Sequence, residues 1–274
     1  MTIRLACLQM NSGPDVAQNL EFIRQHAIQA ATAKVDILQL PECFAQMPAS
    51  AAQQIKEVHG VGEIQTFLKG LANELTLNIV AGALPIVASP DDPNHPYARC
   101  VVIDSSGQAI GHYDKIHLFD VALPDGSAYR ESDRFSPAKP EGGTLKLVDI
   151  AGVQLGLTIC YDLRFPELYR ALTQRGAQLF AVPSAFTYDT GRAHWETLLR
   201  ARAIENLSYV FAAAQTGEHA SGRRTWGHSM IIDPWGEVLA QAGSEPGLIM
   251  ADISLSKLEH QREHFPALQH RQIN

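Results

Sequence analysis

LGLTICYDLRFPELYRALTQRGAQ, residues 155–178, reads as a buried strand, a tight bend and an amphipathic helix, with Cys160 at the bend. A free cysteine is ordinarily a small buried hydrophobe. The local pattern offers a second reading. Pro166 suits the first turn of a helix, so the thiol lies just before a helix N-terminus, where the dipole favours a thiolate. Strand–turn–helix is also the layout that exposes an attacking atom at a nucleophile elbow.

Outward from this stretch, apolar runs alternate with helical periods. IRLACLQM, VDILQL and NIVAGALPIV read as strands, separated by helices DVAQNLEFIRQHAIQAATAK and EIQTFLKGLANELTL. In the first helix Val16, Leu20, Ile23, Ala27 and Ala31 follow the helical period, and Asp15 is a fitting N-cap. Hairpins follow: ARCVVID with QAIGHYDK, KLVDI with VQLGLTIC, and HSMIID with EVLAQA, the last joined by Asp233-Pro234-Trp235-Gly236 with Pro and Gly where a type I turn wants them. FPELYRALTQRGA and AHWETLLRARAIEN read as helices, QLFAVPSAF and SYVFAAAQTG as strands. A doubly wound parallel sheet has no use for so many hairpins. The predicted fold is α/β, with two mixed sheets packed face to face and helices outside.

Composition fits one large domain over residues 1–274, with 46% hydrophobic and 19% charged residues and no linker-like tract. A net charge of −7 with scattered basic residues argues against nucleic acid, and no apolar run approaches the ~20 residues of a membrane helix. MTIRLACLQMNSG does not read as a secretory signal. Cys7, Cys43, Cys100 and Cys160 are far apart and form no CxxC, which suits reduced thiols in a cytoplasm better than a disulfide framework or a zinc site.

Three polar residues close apolar strands, where sites form in open α/β sheets. Glu42 ends VDILQLPE, Lys115 ends AIGHYDK and Cys160 ends VQLGLTIC. Singly, each has an ordinary reading: an exposed loop carboxylate, a snorkelling lysine, a core thiol. Jointly they suffice for covalent acyl transfer without metal or cofactor. A carboxylate whose pKa is raised by burial takes the thiol proton, and the lysine stabilises thiolate and oxyanion.

Leu40-Pro41-Glu42, YDKIHLFD at 113–120 and ICYDLRFPE at 159–167 resemble the three catalytic motifs of the nitrilase superfamily of carbon–nitrogen hydrolases, in order and context. PSAF, RARAIEN, AAAQTG and GHSMIIDPWGEVLA resemble its Nit branch. The resemblance implies a four-layer α-β-β-α sandwich and a homodimer or higher oligomer, with the C-terminal tail from about 260 to 274 crossing the dimer interface. It implies Glu42 as general base and acid, Lys115 as oxyanion stabiliser, Cys160 as nucleophile and Glu131 in a supporting role. The backbone N–H of Tyr161 would complete the oxyanion hole, and Tyr161, Arg164, Phe186 and Thr187 are the expected substrate contacts. Arg164 has a plain alternative, an ion pair with Asp162 or Glu167. One departure stands out: Ser136-Pro137-Ala138 occupies the place where relatives often have SPG, a change expected to touch no catalytic group.

The implied reaction is hydrolysis of the amide of deaminated glutathione to 2-oxoglutarate and cysteinylglycine, with 2-oxoglutaramate as the alternative substrate. Three other readings stand beside it. A Cys–His hydrolase would draw on His117, His194 or His228. A metal hydrolase lacks HExxH or paired His/Cys ligands. A ligand-binding protein on the same scaffold would have no need of all three catalytic residues.

Overall fold

The computed structural model describes residues 1–87, 94–122, 126, 128–139, 145 and 147–273; Lys146, the first residue of the expected KLVDI strand, and Asn274, at the end of the tail, lie outside them. Strand Thr2–Gln9 is the second strand of the first sheet, next to its edge. It runs antiparallel to Gly247–Ser254 on one side and parallel to Ile37–Leu40 on the other. Asn78–Val87 follows in parallel, then Tyr97–Ile103 and Ala109–Asp114 in antiparallel. The second sheet runs in the order Val238–Gln241, Met230–Ile232, Tyr209–Ala212, Leu179–Ala181, Val153–Leu157, Leu147–Ile150, with the central pairs parallel and the outer pairs antiparallel. Both sheets are therefore mixed, as the hairpins require.

Alternation along each strand assigns its two faces. In Thr2–Gln9, Ile3, Leu5 and Cys7 enter the apolar cluster shared with the second sheet, while Ala6 and Leu8 enter a separate cluster. That separate cluster is roofed by helix α1 (Val16–Thr32) through Ile23, Ala27 and Ala30, and by α2 (Glu63–Leu75) through Ile64, Leu68 and Leu71. Asp15 caps α1 by accepting the Gln18 N–H at 3.2 Å. Helices α3 (Pro166–Gln174) and α4 (Tyr188–Asn206) cover the second sheet, packing on Val153–Leu157 and Tyr209–Ala212. The result is the four-layer α-β-β-α sandwich.

Helix α4 begins five residues before the expected AHWETL start. Within the added turn, Gly191 is a contact point: a Cβ there would lie 2.2 Å from Trp226 Cβ. A fifth helix, α5 (Leu255–His264), includes the first residues of the C-terminal tail. It is locked to its own chain by Arg262, which donates to the carbonyls of Leu207 at 2.8 Å and Ala177 at 2.7 Å. Among the described residues, no helix is long and apolar enough to cross a membrane.

Candidate active site

The tips of strands from both sheets meet at one cavity of about 350 Å³. The first sheet delivers Glu42, two residues past Ile37–Leu40, and Lys115, one residue past Ala109–Asp114. The second delivers Cys160, three residues past Val153–Leu157. All three line the cavity, with Glu131 beside them.

Cys160 adopts φ +49°, the left-handed region that non-glycine residues rarely occupy. The neighbouring hydrogen bonds hold it there. Thr158 and Cys160 donate their N–H groups to Ala181 O and Pro183 O at 3.1 and 3.0 Å. The turn Cys160–Arg164 then leads into α3, with Pro166 in its first turn as expected. Asp162, wholly buried, braces this turn. It accepts from Ile159 N–H and Tyr113 O–H, each at 2.9 Å, and is 2.7 Å from His117 Nδ1.

Glu42 is 6% exposed rather than a loose loop carboxylate. The opposite sheet anchors it: Ala185 N–H donates to Oε2 at 2.9 Å, and Gln215 Nε2 donates to its backbone carbonyl at 3.0 Å. These contacts give the PSAF and AAAQ segments a physical task. Lys115 does not snorkel; it is 1% exposed. Its Nζ donates to Glu42 Oε1 at 2.9 Å and to the Glu131 oxygens at 2.8 and 2.9 Å. Glu131 Oε2 also accepts the Phe119 N–H at 2.7 Å. Ala138, the departure from SPG, donates its N–H to Lys115 O at 3.0 Å, so the position does touch the lysine's backbone. It needs no positive φ, so alanine is compatible with the backbone there.

The charges correct two expectations. Burial pushes the Glu42 carboxyl up, but the adjacent Lys115 ammonium, the hydrogen bond from Cys160 and the Arg223 charge together hold it below its ordinary value, not near neutrality. Burial and the Glu42 charge push the Cys160 thiol well above its ordinary value, against the pull of Lys115, so the helix start does not yield a standing thiolate. Burial disfavours the Lys115 ammonium, yet Glu131 and Glu42 raise it well above the usual lysine range. At neutral pH the site is carboxylate, ammonium and thiol. Cys43 lines the same cavity but is a poor nucleophile, since burial and Glu42 push its thiol up to about 12.

The expected substrate contacts Tyr161, Arg164, Phe186 and Thr187 also line the cavity. Arg164 pairs with neither Asp162 nor Glu167 in the manner expected. Its guanidinium lies 5.8 Å from the Tyr161 ring and 5.7 Å from that of Phe186, and reaches His194 Nδ1 at 3.3 Å. The histidines of the Cys–His reading lie elsewhere. His117 stacks on Phe165 at 3.6 Å and faces Asp162, and His228 stacks on Trp226 at 4.1 Å. Sequence reasoning passed over Gln54, Arg130, Arg134 and Arg223, which also line the cavity, the three arginines adding positive charge. Arg130 and Arg134 flank Glu131 on one short segment, and only the fold brings Gln54 and Arg223 to them.

Comparison with known proteins bears on the same geometry. The family model described as carbon–nitrogen hydrolase matches residues 4–263. The chain is 41% identical to the deaminated glutathione amidase of Synechocystis sp., over 97% of both chains. It is 36% identical to human Omega-amidase NIT2, over 97% of this chain and 93% of that one. The crystal structure of the C. elegans NitFhit protein superposes with a TM-score of 0.90 at 38% identity, covering 99% of this chain and 65% of that one. An amidase from Nesterenkonia sp. AN1, solved as a variant bearing an acetamide moiety covalently added at its active-site cysteine, superposes at 0.79 with 28% identity, covering 98% and 94%. Fold, motif order and relatives agree, and the chain belongs to the carbon–nitrogen hydrolase family, in the Nit branch of the nitrilase superfamily.

Proposed function

We propose that the protein is a cysteine-dependent amidase that cleaves deaminated glutathione to 2-oxoglutarate and cysteinylglycine. The observation that carries this reading is the buried contact of Lys115 with Glu42 and Glu131, at a cavity that also holds the Cys160 thiol. Because the resting thiol is neutral and Glu42 ionised, proton transfer accompanies attack. Glu42 takes the Cys160 proton as sulfur bonds to the amide carbon. The carbonyl π electrons move to oxygen, where the Lys115 ammonium and the Tyr161 N–H stabilise the charge. On collapse the C–N bond breaks, and Glu42 returns its proton to the departing amine. Water, deprotonated by the same carboxylate, then attacks the thioester; the acid leaves and the thiol is regenerated.

The two relatives named for deaminated glutathione and for an ω-amide are 41% and 36% identical to this chain, which favours the former substrate. Arg164, between Tyr161 and Phe186, supplies a guanidinium for the carboxylate of a 2-oxo acyl group. Intact-protein mass spectrometry after mixing with deaminated glutathione, 2-oxoglutaramate or simple nitriles tests the reading. A 2-oxoglutaryl adduct on Cys160 from deaminated glutathione is expected. Far more efficient turnover of 2-oxoglutaramate would replace this substrate by the ω-amide, and saturable binding without any adduct would favour a binding protein.

A further inference from the structure

Arg134 lies three residues beyond Glu131, on a turn where its own N–H donates to Glu131 O at 3.0 Å. Its side chain lines the cavity. The guanidinium Nε donates to Gln54 Oε1 at 2.8 Å, which fixes the plane of the group. Gln54 follows a short turn, Ala51–Gln53, that is itself tied down where Ile55 N–H donates to Gln46 Oε1 at 2.9 Å. Among the described residues no carboxylate forms an ion pair with Arg134, and its hydrogen bond to Gln54 uses Nε, the side of the guanidinium away from the two terminal nitrogens. The Gln54 amide also keeps an unmet donor, Nε2, buried without a partner among the described residues. A seated arginine with a free fork is the side chain best matched to a carboxylate.

Its placement says which part of a substrate it would meet. Arg164 stands on the nucleophile's own turn, beside Tyr161 and Phe186. Arg134 stands on the turn that carries Glu131, which Lys115 links to Glu42, and its charge is felt at Cys43, the residue after Glu42. Glu42 is the group that returns a proton to the departing nitrogen, so the amine half of the amide lies on that side. We propose that Arg134, seated on Gln54, is a specificity residue that receives a carboxylate carried by the departing amine, so that the protein selects amides of anionic amino acids or peptides over primary amides. This rests on the amidase reading above and deepens it: cysteinylglycine leaves with such a carboxylate, whereas ammonia from 2-oxoglutaramate does not.

The test measures binding without turnover. In a Cys160→Ala background, calorimetry compares deaminated glutathione with its C-terminal carboxamide. The acid is expected to bind about ten- to a hundredfold more tightly, the range of a charge-assisted hydrogen bond. Arg134→Met is expected to erase that preference and Arg134→Lys to restore part of it, with unchanged near-ultraviolet circular dichroism. Should Arg134→Met fail to fold, Gln54→Leu carries the comparison: it leaves every charge in place, unseats the guanidinium, and should shrink the preference. Equal affinities in the parent, or a preference that survives Arg134→Met in a folded protein, would overturn the proposal while leaving the amidase reading intact. Binding of neither ligand, together with no 2-oxoglutarate released by the wild-type protein, would overturn both.

Discussion

Lys115 Nζ lies 2.9 Å from Glu42 Oε1, with the lysine side chain 1% and the glutamate side chain 7% exposed. Two charges so deeply buried are tolerable only because each is paired, and a second carboxylate, Glu131, completes the coordination of the ammonium. Removing one partner strands the others. Lys115→Met leaves two carboxylates facing each other in an apolar wall, and the loss is expected to be about 3–5 kcal/mol. Urea denaturation of the single variant, and of Lys115→Met combined with Glu131→Gln, checks this. The double variant should recover part of the loss, since it carries one buried charge fewer; additive losses would contradict the pairing.

The same pair sets the pH response. Glu42 has a folded pKa below its unfolded one, so its contribution to stability is present above the unfolded value and lost as pH falls through the folded value. Lys115 is raised, so its contribution is complete below the unfolded lysine pKa and lost as pH rises through the folded one. For activity, the acidic limb of kcat/KM reports the free-enzyme base. That limb is expected below the usual carboxylate range, with the rate level from neutrality down to about pH 5. A limb centred between pH 6 and 7 would show that burial outweighs Lys115 and raises the Glu42 carboxyl instead.

Glu42→Gln separates base from electrostatics. Turnover is expected to fall by about 10²–10⁴, the range for loss of a general base. Yet the Glu42 charge is one of the causes holding the Cys160 thiol up, while Lys115 pulls it down. The variant therefore has a lower thiol pKa than the wild type. Cys160 in Glu42→Gln should react faster with acrylamide at pH 8, even as hydrolysis fails. Mass spectrometry of the adduct over time reads the rate, and slower alkylation would contradict the assigned charges.

The sandwich was legible because two periods alternate cleanly along the chain and because hairpin turns with Gly mark the antiparallel pairs. Glu42, Lys115 and Cys160 were legible because a polar residue closing an apolar strand is conspicuous, and the family resemblance supplied Glu131. The ionisation state was not legible. Burial alone argues for a raised carboxyl, and the 2.9 Å contact with Lys115, helped by Cys160 and Arg223, reverses the sign. Nor were the short ribbons Asp120–Ala122 with Ala128–Arg130 and Thr216–Glu218 with Arg224–Trp226, whose three-residue strands are too brief to show a period. Gln54 and Arg134 are 80 residues apart, and only the fold joins them.

Asp162 shows how the left-handed Cys160 is held. Its carboxylate engages Ile159 N–H, Tyr113 O–H and His117 at once. Asp162→Ala leaves the first two buried donors unmet, at about 1–3 kcal/mol each. The turn should relax and carry the sulfur away from Glu42. A fall in kcat with a smaller change in KM is expected, together with reduced thermal stability. His117→Ala removes the ring contact to Asp162 and the stacking on Phe165 but keeps the backbone N–H on Asp162, and should retain most activity. Equal loss in the two variants would return His117 to the role of base.

Gly82 ties the first sheet to the site. It lies where Asn78–Val87 passes Leu40 and Pro41, and a Cβ there would stand 2.2 Å from Pro41 O and 2.7 Å from Leu40 O. Backbone atoms cannot swing aside as a side chain can, so Gly82→Ala must push Pro41 outward, and Glu42 is the next residue. A displacement of about 1 Å at a catalytic group costs on the order of a hundredfold in rate. Gly82→Ala is therefore expected to lower kcat by about that factor, although residue 82 supplies no functional group. Gly13→Ala is the matched control, since a Cβ at that position meets nothing within 4 Å. Steady-state kinetics on both variants decides: near-wild-type turnover in Gly82→Ala would show that Glu42 does not depend on this backbone contact for its position.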